Sequence, residues 1–438
     1  MTQKIGIGLL GLGTVGTGVA NIIGSPEGRN PLLSSIYISR IAVKDLNRTR
    51  NIQIDSSILT DDPFEVVNDP NVQIVVEAIG GIEPARSIIL SAIKSGKSVV
   101  TANKAVIARY GQEISNEANN AGVYVLIEAA VGGGIPIIEP LKQSLGGNRI
   151  KKVTGIINGT TNFILSQMTK DGAKYQDVLK AAQDLGYAEA DPEADVDGHD
   201  AADKIAILSG LAFGGAIERE KIPTKGISNL ENIDINYAKQ LGYEVKLLAT
   251  AQHLVDKEPI NSSIALALSV EPTLVPQAHP LAAVNGVNNS ILIEGDPIGE
   301  VMFYGPGAGA GPTASAVVAD ILNIVGIELT QDVKKSLDPL LSAFSWRKCF
   351  LADPRDIPQK NYLRLITKDT PGVIGNIGSI FGENQVSIQS IVQFDSMNSQ
   401  AEIIVITHKV SKGQISDSLQ KIEQLNDVIK IASHLSCL

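Results

Sequence analysis

The sequence predicts an α/β protein in which a doubly wound parallel sheet is followed by a second domain with a mixed sheet and by a small C-terminal domain. The chain opens with a short apolar run that ends in a glycine-rich turn. Further short apolar runs alternate with helical patterns up to about residue 127, and the residues from 361 onward have a strand and helix pattern of their own. Such alternation is typical of a parallel sheet with helices on both faces.

The composition limits the classes of function. The chain has 438 residues, a formal net charge of −10 and 44% hydrophobic residues. This length allows two or three domains, and the negative charge disfavours a nucleic-acid partner. No run approaches the roughly 18 apolar residues of a membrane span, and the N-terminal run is too short for a signal peptide. The two cysteines, Cys349 and Cys437, lack a metal-type spacing, so we expect a cytoplasmic protein.

A glycine turn follows the first predicted strand. It has the sequence Gly11-Leu-Gly13-Thr-Val-Gly16 and stands where a helix begins, which is the context expected of a dinucleotide-binding turn. Gly11 permits the tight turn, Gly13 lets the backbone approach a pyrophosphate, and Gly16 lets the helix pack closely on the strand. An ordinary glycine-rich turn is the alternative. The predicted cofactor-binding residues of this turn are Gly11, Gly13, Thr14, Val15 and Gly16.

The strands of the predicted parallel sheet cover residues 4–10, 36–43, 72–78, 98–101 and 123–127. Ligands bind such sheets at the carboxyl ends of the strands. At the end of the second strand, Arg40 and Lys44 suit the 2′-phosphate of NADP, although solvated basic residues would give the same pattern. Gly80 follows the third strand. Lys104 follows the fourth, where it either reaches nicotinamide and substrate or caps a loop.

Two further glycine-rich segments are candidates for binding. Residues 128–136 combine Glu128 with carbonyls exposed by glycines, which suits either a hard cation with oxygen ligands or a hinge between domains. Residues 305–312 form a second glycine turn before a predicted helix at 313–325. Gly307 and Gly309 of this turn are candidate cofactor-binding residues.

An acidic stretch between residues 182 and 204 carries eight carboxylates and ends in Lys204. Two glycines and a proline predict a loop, and a helix is predicted from His199. Asp200 and Lys204 are four residues apart, so they would share one face of that helix. A solvated ion pair is the ordinary interpretation of this spacing, but the helix is rich in Ala, Ile and Leu, which indicates burial. A buried lysine whose pKa is lowered is a good proton donor.

The C-terminal region begins after a predicted linker at 336–360. Strands are predicted at 362–366, 387–393 and 402–408, and helices from Val373 and at 415–425. This order of βαββα with a short final strand resembles an ACT-type regulatory domain. The resemblance implies an amino-acid effector at the turn from Asp369 to Gly372 and side-by-side pairing of two such domains. A purely structural module is the alternative.

The acidic stretch resembles the signature of the homoserine dehydrogenase family. The matching residues are Ala182, Gly186 to Glu189, Asp191, Pro192, Asp195, Gly198, Asp200 and Lys204. The resemblance covers the whole chain, and it implies NAD(P)H-dependent interconversion of L-aspartate 4-semialdehyde and L-homoserine in threonine and methionine biosynthesis. It matches Lys204 to the proton donor and Glu189 to a substrate-binding residue. We expect Lys104 to share the pocket of Lys204, Asp200 to orient Lys204, and Asp195 to hold the substrate's ammonium with Glu189.

The same resemblance implies a monovalent cation, generally sodium, at Glu128, Val131, Gly133 and Ile135, and threonine as the candidate effector. The expected domains are a Rossmann-type domain at 1–130 completed by 305–335, a substrate-binding and dimerisation domain at 131–304, the linker at 336–360, and an ACT-like βαββαβ domain at 361–438. We expect NADP or NAD, with NADP favoured, and a homodimer or homotetramer. The alternatives are a non-catalytic regulator that senses a dinucleotide and an amino acid, and another aldehyde-reducing oxidoreductase.

Overall fold

The computed structural model describes residues 4–50, 52–254, 264–330, 338, 341, 348–395 and 400–438. The described chain divides into two compact units. The first contains residues within 1–157, 203–221 and 288–349, and the second contains residues within 158–202, 222–287 and 350–438. Each unit has its own buried apolar clusters.

Strands and helices are numbered along the described chain. The strands are β1 (Ile5–Leu10), β2 (Ile36–Ala42), β3 (Leu59–Thr60), β4 (Ile74–Glu77), β5 (Ser98–Thr101), β6 (Val125–Leu126), β7 (Arg149–Ile156), β8 (Tyr243–His253), β9 (Ile264–Pro276), β10 (Asn288–Asp296), β11 (Gly299–Pro306), β12 (Cys349–Leu351), β13 (Pro358–Lys368), β14 (Ile388–Asp395), β15 (Gln400–Thr407), β16 (Val410–Ser411) and β17 (Val428–Cys437). The helices are α1 (Thr14–Gly24), α2 (Pro63–Asn68), α3 (Ala85–Lys94), α4 (Lys104–Ala121), α5 (Ile138–Lys142), α6 (Gly159–Asp171), α7 (Tyr175–Asp184), α8 (Glu193–Val196), α9 (His199–Phe213), α10 (Asn232–Gln240), α11 (Ala310–Thr330), α12 (Val373–Glu383) and α13 (Lys412–Ile422).

The first unit contains a six-stranded sheet with the order β3-β2-β1-β4-β5-β6. All of its strand pairs are parallel. This is the strand order of a doubly wound Rossmann-type sheet, in which the connections reverse direction between β1 and β4. The carboxyl ends of these two strands therefore border the crevice where such sheets bind ligands. The predicted fold class is confirmed for this part of the chain.

Apolar clusters cover both faces of this sheet. On one face, Val19 of α1 and Val317 and Ile321 of α11 pack against β1 and β2. On the other face, α2, α3 and α4 supply a second cluster that includes Val66 and Ile88. The α11 helix is long and apolar enough to cross a membrane by length and composition alone. Several of its apolar side chains, Val317 and Ile321 among them, lie in the core of this unit.

The first unit also contains an antiparallel three-stranded arrangement with the order β11-β10-β7. The exposed side chains of β11 include Met302 and Tyr304. These residues are compatible with the predicted subunit contact, which stays a prediction.

In the second unit, six strands follow one another in the order β8-β9-β17-β13-β15-β14, with the short strands β12 and β16 beside β9 and β13. Apart from β16, the elements β13, α12, β14, β15, α13 and β17 follow one another along the chain as βαββαβ. Leu363 and Val405 of this sheet pack against Ile377 and Phe381 of α12 in one buried cluster. The predicted ACT-like fold is confirmed. Its last strand, β17, also pairs in parallel with β9 through Ser436 and Cys437, which the sequence did not predict.

Some element boundaries differ from the sequence prediction. The sequence has a helical pattern at 111–121, but α4 begins at Lys104, because Asn103 Oδ1 accepts the amide hydrogen of Val106 and caps the helix. The loop predicted before His199 contains the single turn of α8. Of the predicted linker at 336–360, residues 336–337, 339–340 and 342–347 lie outside the described chain. The described part of the linker contains β12 and the start of β13.

Candidate active site

The glycine turn between β1 and α1 has the geometry of a phosphate-binding loop. Gly11 has a φ of +98°, and a Cβ atom there would lie 2.8 Å from the carbonyl oxygen of Ala78. A Cβ atom at Gly16 would lie 2.0 Å from the carbonyl oxygen of Gly11, so helix and strand approach more closely than a side chain allows. A Cβ atom at Gly13 would meet nothing within 4 Å. The backbone is thus open on the side where the first amides of α1 can face an anion.

Basic residues near the end of β2 have different surroundings. Arg40 lies within β2, and its guanidinium pairs with Glu65 at 2.9 Å and Asp69 at 3.3 Å. Lys44 and Asp45 follow the strand and are exposed. Arg40 therefore ties β2 to α2 and to the residue that follows α2, while Lys44 stands at the strand end. That either residue binds a 2′-phosphate stays a prediction.

A buried hydrogen-bond network joins the loops that follow β4 and β5. Glu77, which is fully buried, accepts the amide hydrogens of Ile79 and Gly80 at 2.9 and 3.3 Å. Its second oxygen accepts the hydroxyl of Thr101 at 2.5 Å. Asn103 donates from Nδ2 to the carbonyl of Gly81 at 2.7 Å. These bonds fix the carboxyl edge of the sheet where Lys104 begins α4.

Glu77 was missed by sequence analysis. Its place at the end of an otherwise apolar strand was a usable signal, because a carboxylate is rarely buried without hydrogen-bond donors.

Lys204 is a buried residue of α9, with 8% of its surface exposed. Its ammonium donates to the carbonyl of Ile157 at 2.6 Å. The neighbouring carboxylate of Asp203 accepts from Arg109 of α4 at 3.2 Å and from Arg219 at 2.6 Å. The pair with Arg109 ties the turn of α9 that contains Lys204 to the helix that begins with Lys104. The predicted common pocket of the two lysines stays a prediction.

Two of the predicted carboxylates are brought together by Asn158. Its side-chain nitrogen donates to Asp195 at 2.7 Å and to Asp200 at 2.9 Å. Asp200 is buried and Asp195 is half-buried. Glu189, in contrast, is exposed, and its backbone carbonyl accepts the side-chain amide of Gln183. Asn158 was not identified as a functional residue from the sequence, where it stood only in a polar turn.

Comparison with known proteins identifies the family. The model described as "Homoserine dehydrogenase, NAD binding domain" matches residues 11–128, "Homoserine dehydrogenase" matches residues 136–322, and "ACT domain" matches residues 361–427. The homoserine dehydrogenase of Synechocystis sp. is 54% identical over 438 residues, which is 100% of both chains. The chain belongs to the homoserine dehydrogenase family.

Solved structures agree with this assignment. A homoserine dehydrogenase from Thiobacillus denitrificans has a TM-score of 0.88 at 40% identity, and the match covers 100% of this chain and 98% of that one. A hyperthermophilic archaeal homoserine dehydrogenase in complex with NADPH has a TM-score of 0.61 at 29% identity, over 74% of this chain and 98% of that one. The protein is therefore an NAD(P)-dependent oxidoreductase that uses a nicotinamide dinucleotide.

The segment predicted to bind a cation contains a buried group of carboxylates. Glu128 accepts the amide hydrogens of Ile137 and Ile138 at 2.6 and 2.9 Å, at the start of α5. Carboxylate oxygens of Glu128, Glu139 and Asp320 lie within 4.8 Å of one another. Burial raises the pKa of Asp320 well above its ordinary value. One Asp320 oxygen is fully buried and has no hydrogen-bond partner among the described residues, so the three carboxylates form an oxygen-rich interior of the kind that can hold a cation.

The second glycine turn packs against this segment. A Cβ atom at Gly133 would lie 2.5 Å from the carbonyl oxygen of Gly307. A Cβ atom at Gly307 would overlap the side chain of Asn289. Glycine at both positions is explained by this close approach. Cofactor binding by Gly307 and Gly309 stays a prediction.

The ACT domain contains a small pocket beside the turn from β13 to α12. The pocket has a volume of about 250 Å³, and its lining includes Asp369, Gly372, Gln393 and Ala401. Gly372 has a φ of +95° and precedes the first amides of α12. The volume and the polar rim of this pocket suit a ligand of amino-acid size.

Proposed function

We propose that the enzyme interconverts L-aspartate 4-semialdehyde and L-homoserine with NADP(H), as a step toward threonine and methionine. The observation that carries the proposal is the acidic stretch, in which Lys204 is buried and Asp195 and Asp200 are held by one amide. A proton donor and paired carboxylates suit a substrate that has both an aldehyde and an ammonium group. A non-catalytic sensor would have no use for a buried proton donor.

Lys204 is the proposed proton donor. When bound, the nicotinamide supplies the hydride that reduces the aldehyde carbon. Lys204 gives a proton to the aldehyde oxygen and recovers one in the reverse reaction. The carbonyl of Ile157 takes one of its three hydrogens and so limits the directions in which the ammonium can point. Asp200, one turn earlier on α9, orients Lys204, and the positive charge of Lys104 favours release of the proton.

Asp195 and Glu189 are the proposed partners of the substrate's ammonium group. Asp195 is half-buried and fixed by Asn158, whereas Glu189 is exposed in the acidic stretch. An exposed carboxylate can move to meet a bound ligand, while a fixed one sets its position. We assign specificity for an amino-acid aldehyde to this pair.

NADP is the preferred cofactor in this proposal. Lys44 stands exposed directly after β2, where the adenosine ribose lies in doubly wound sheets. The archaeal relative described above was solved with NADPH.

We also propose that the enzyme binds a monovalent cation, with Na⁺ favoured, through Glu128, Val131, Gly133 and Ile135. Next to Glu128, a buried oxygen of Asp320 has no hydrogen-bond partner within the described part of the chain, which supports a positive charge there.

Threonine is the proposed effector, and a homodimer or homotetramer is the proposed assembly. The pocket at Asp369 and Gly372 joins a carboxylate, which can meet an ammonium, to the open amides of a helix start, which can meet a carboxylate. Threonine is the end product of the proposed route and therefore the natural ligand for feedback.

Substrate-dependent oxidation of NADPH tests the proposed reaction. L-Aspartate 4-semialdehyde should support turnover, and succinate semialdehyde, which lacks the ammonium group, should be a much poorer substrate. Equal rates with both would indicate a general aldehyde reductase. No oxidation with either, under conditions where the dinucleotide binds, would indicate a non-catalytic sensor.

A further inference from the structure

The side chain of Asn158 makes four hydrogen bonds that serve two different purposes. Its side-chain oxygen accepts the amide hydrogen of Thr161 at 2.9 Å and the hydroxyl of Thr161 at 3.0 Å, which caps α6. Its side-chain nitrogen donates to Asp195 at 2.7 Å and to Asp200 at 2.9 Å. The residue is 5% exposed. A primary amide offers two donors and one acceptor oxygen, and all of them are used.

Helix capping alone does not explain an asparagine at this position. Serine and aspartate cap a helix about as well as asparagine, because a cap needs only an oxygen that accepts an amide hydrogen. The two carboxylates, in contrast, need two hydrogens on one atom, and neither serine nor aspartate supplies them. The identity of residue 158 therefore depends on Asp195 and Asp200, which lie 37 and 42 residues further along the chain.

The start of α6 is a rigid support for this amide. Thr160 donates to the carbonyl of Tyr187 at 2.6 Å, which ties the helix to the acidic stretch itself. Asn162 donates to the carbonyl of Gly286 at 3.0 Å. A Cβ atom at Gly159 would lie 2.8 Å from the carbonyl oxygen of Val287, so the start of the helix packs closely against that backbone. Residues held on regular elements by their own hydrogen bonds place functional groups most accurately.

We propose that Asn158 is a positioning residue for the reaction, which fixes the carboxylate of Asp195 relative to that of Asp200. One amide thereby sets both the group that meets the substrate's ammonium and the group that orients the lysine. The proposal rests on the proposed function of Asp195 and Asp200. Hydrogen bonds from one amide nitrogen hold the two carboxylates side by side.

Three variants of Asn158 separate the two purposes. Asn158→Ala removes the cap and the donors, Asn158→Ser keeps the cap and removes the donors, and Asn158→Asp keeps the cap and adds a third negative charge. If the residue only capped α6, serine would restore what alanine loses. We expect instead that Asn158→Ser lowers kcat/KM for homoserine by about 10- to 100-fold, the range for a catalytic group displaced by up to an ångström. The kcat/KM of the Asn158→Asp variant should be lower still.

The measurement is steady-state oxidation of homoserine at a temperature where circular dichroism shows each variant folded. The KM for homoserine should rise and kcat should fall, because Asp195 and Asp200 are both affected, while the KM for the dinucleotide stays unchanged. Ser411→Ala is the matched control, since Ser411 caps α13 in the same unit through Gln414. It should lower the melting temperature and leave kcat/KM unchanged.

Combination with Asp200→Asn completes the test. If Asn158 acts through Asp200, the losses from Asn158→Ser and Asp200→Asn will not multiply in the double variant. Wild-type kcat/KM in Asn158→Ser or Asn158→Asp would overturn the positioning role and leave the proposed function intact. Failure of the unaltered enzyme to oxidise homoserine would overturn both, and it is seen before any variant is made.

Discussion

Lys204 is a buried lysine whose ammonium donates to a backbone carbonyl. We predict that Lys204→Met lowers kcat by at least ~10²-fold, because a positioned proton donor contributes that much or more. The affinity for NADPH, measured by fluorescence titration, should stay within about two- to threefold of the wild type, since the turn at Gly11 that is predicted to bind the dinucleotide is built from other elements.

Lys246 provides a matched control for this prediction. It is also buried, and its ammonium donates to the carbonyl of Val284 at 2.6 Å. Lys246→Met removes a buried lysine that has no proposed role in the reaction. It should lower stability and leave kcat unchanged at a temperature where the protein is folded. Similar losses of kcat in both variants would assign Lys204 to structure.

Sequence analysis identified some of these side chains and missed others for a physical reason. Asp200 and Lys204 were identified as candidates because they are four residues apart on one predicted helix. Asn158 was missed because its partners lie far along the chain, and only the fold brings them together. Arg40 was predicted to contact a phosphate because it is a basic residue near a strand end, and the fold adds ion pairs with Glu65 and Asp69 that local sequence does not show.

The ion pairs of Arg40 with Glu65 and Asp69 change the effects that we expect from substitutions near the cofactor. Lys44→Ala should raise the KM for NADPH by about 10-fold or more and hardly affect NADH, because only NADPH has a 2′-phosphate and a charge-assisted hydrogen bond contributes about 1.5–3 kcal/mol. Arg40→Ala should affect both cofactors equally and mildly, through the loss of its pairs with Glu65 and Asp69. A selective loss of NADPH affinity in Arg40→Ala alone would reverse this assignment.

His434 of β17 gives the protein a defined response to acid. Burial, aided by the positive charge of Lys225, lowers the pKa of His434 to about 4. The unfolded chain has an ordinary histidine pKa of about 6.5, so between these values the unfolded state binds the extra proton. The contribution of His434 is therefore fully present above about pH 6.5 and is lost as the pH falls toward 4, by at most about 3 kcal/mol.

Urea unfolding from pH 4 to 8 checks this contribution. His434→Gln keeps a neutral hydrogen-bonding group opposite Asn361, whose Oδ1 lies 2.9 Å from His434 Nε2, and removes the titration. The stability of the variant should fall less steeply between pH 6.5 and 4 than that of the wild type. Parallel curves would show that His434 titrates normally in the folded state.

At the scale of elements, a buried ion network fastens α10 to β13. Asp234 accepts from the guanidinium of Arg364 at 2.8 Å and from the hydroxyl of Tyr362 at 3.0 Å. All three residues are almost completely buried. Glu231 provides a second carboxylate for Arg364 at 2.7 Å. The network couples a helix of the middle segment to the first strand of the ACT domain.

We predict that Asp234→Ala destabilises the protein by about 3–5 kcal/mol, the cost of removing one partner of a buried ion pair. Replacing both ions, in Asp234→Leu with Arg364→Met, should cost less than the sum of these two single changes, because the two buried charges are removed together. Urea denaturation of the wild type, the single variants and the double variant measures the difference. Additive losses would show that the two side chains contribute independently.

The order of the elements was predictable from sequence, and several of their connections were not. Short apolar runs between helical patterns identified β1 and its neighbours, because a parallel strand is buried on both faces. The pairing of β17 with β9 could not be predicted from the periodicity of either strand, because it depends on where the last strand of the C-terminal sheet lies in space. The sequence did not show that α4 starts at Lys104, because asparagine, which caps the helix at position 103, is also common in loops.

At the scale of the whole molecule, the ACT domain is not a detachable appendage of the second unit. Truncation before Asn361 would remove Arg364 and Tyr362 from Asp234, and it would remove β17 from the edge of β9. An unpaired strand edge and an unpaired buried carboxylate are both unfavourable. We therefore expect the truncated chain to be unstable or to aggregate, so a loss of its response to an effector would be uninformative.

A single substitution in the pocket tests regulation without that damage. If threonine inhibits by binding beside Gly372, Asp369→Ala should raise the threonine concentration for half-inhibition by about 10-fold or more, because the ammonium loses a charged partner worth about 1.5–3 kcal/mol. Asp417→Ala is the control: Asp417 is a carboxylate of the same domain that binds Arg355 outside the pocket.

Inhibition requires threonine to prefer one conformation of the enzyme, so threonine binding measured by calorimetry and the loss of activity should occur over the same concentrations. Binding without any change in activity would make the pocket a ligand site with no regulatory coupling, and no binding at millimolar threonine would assign it to a different amino acid or to none.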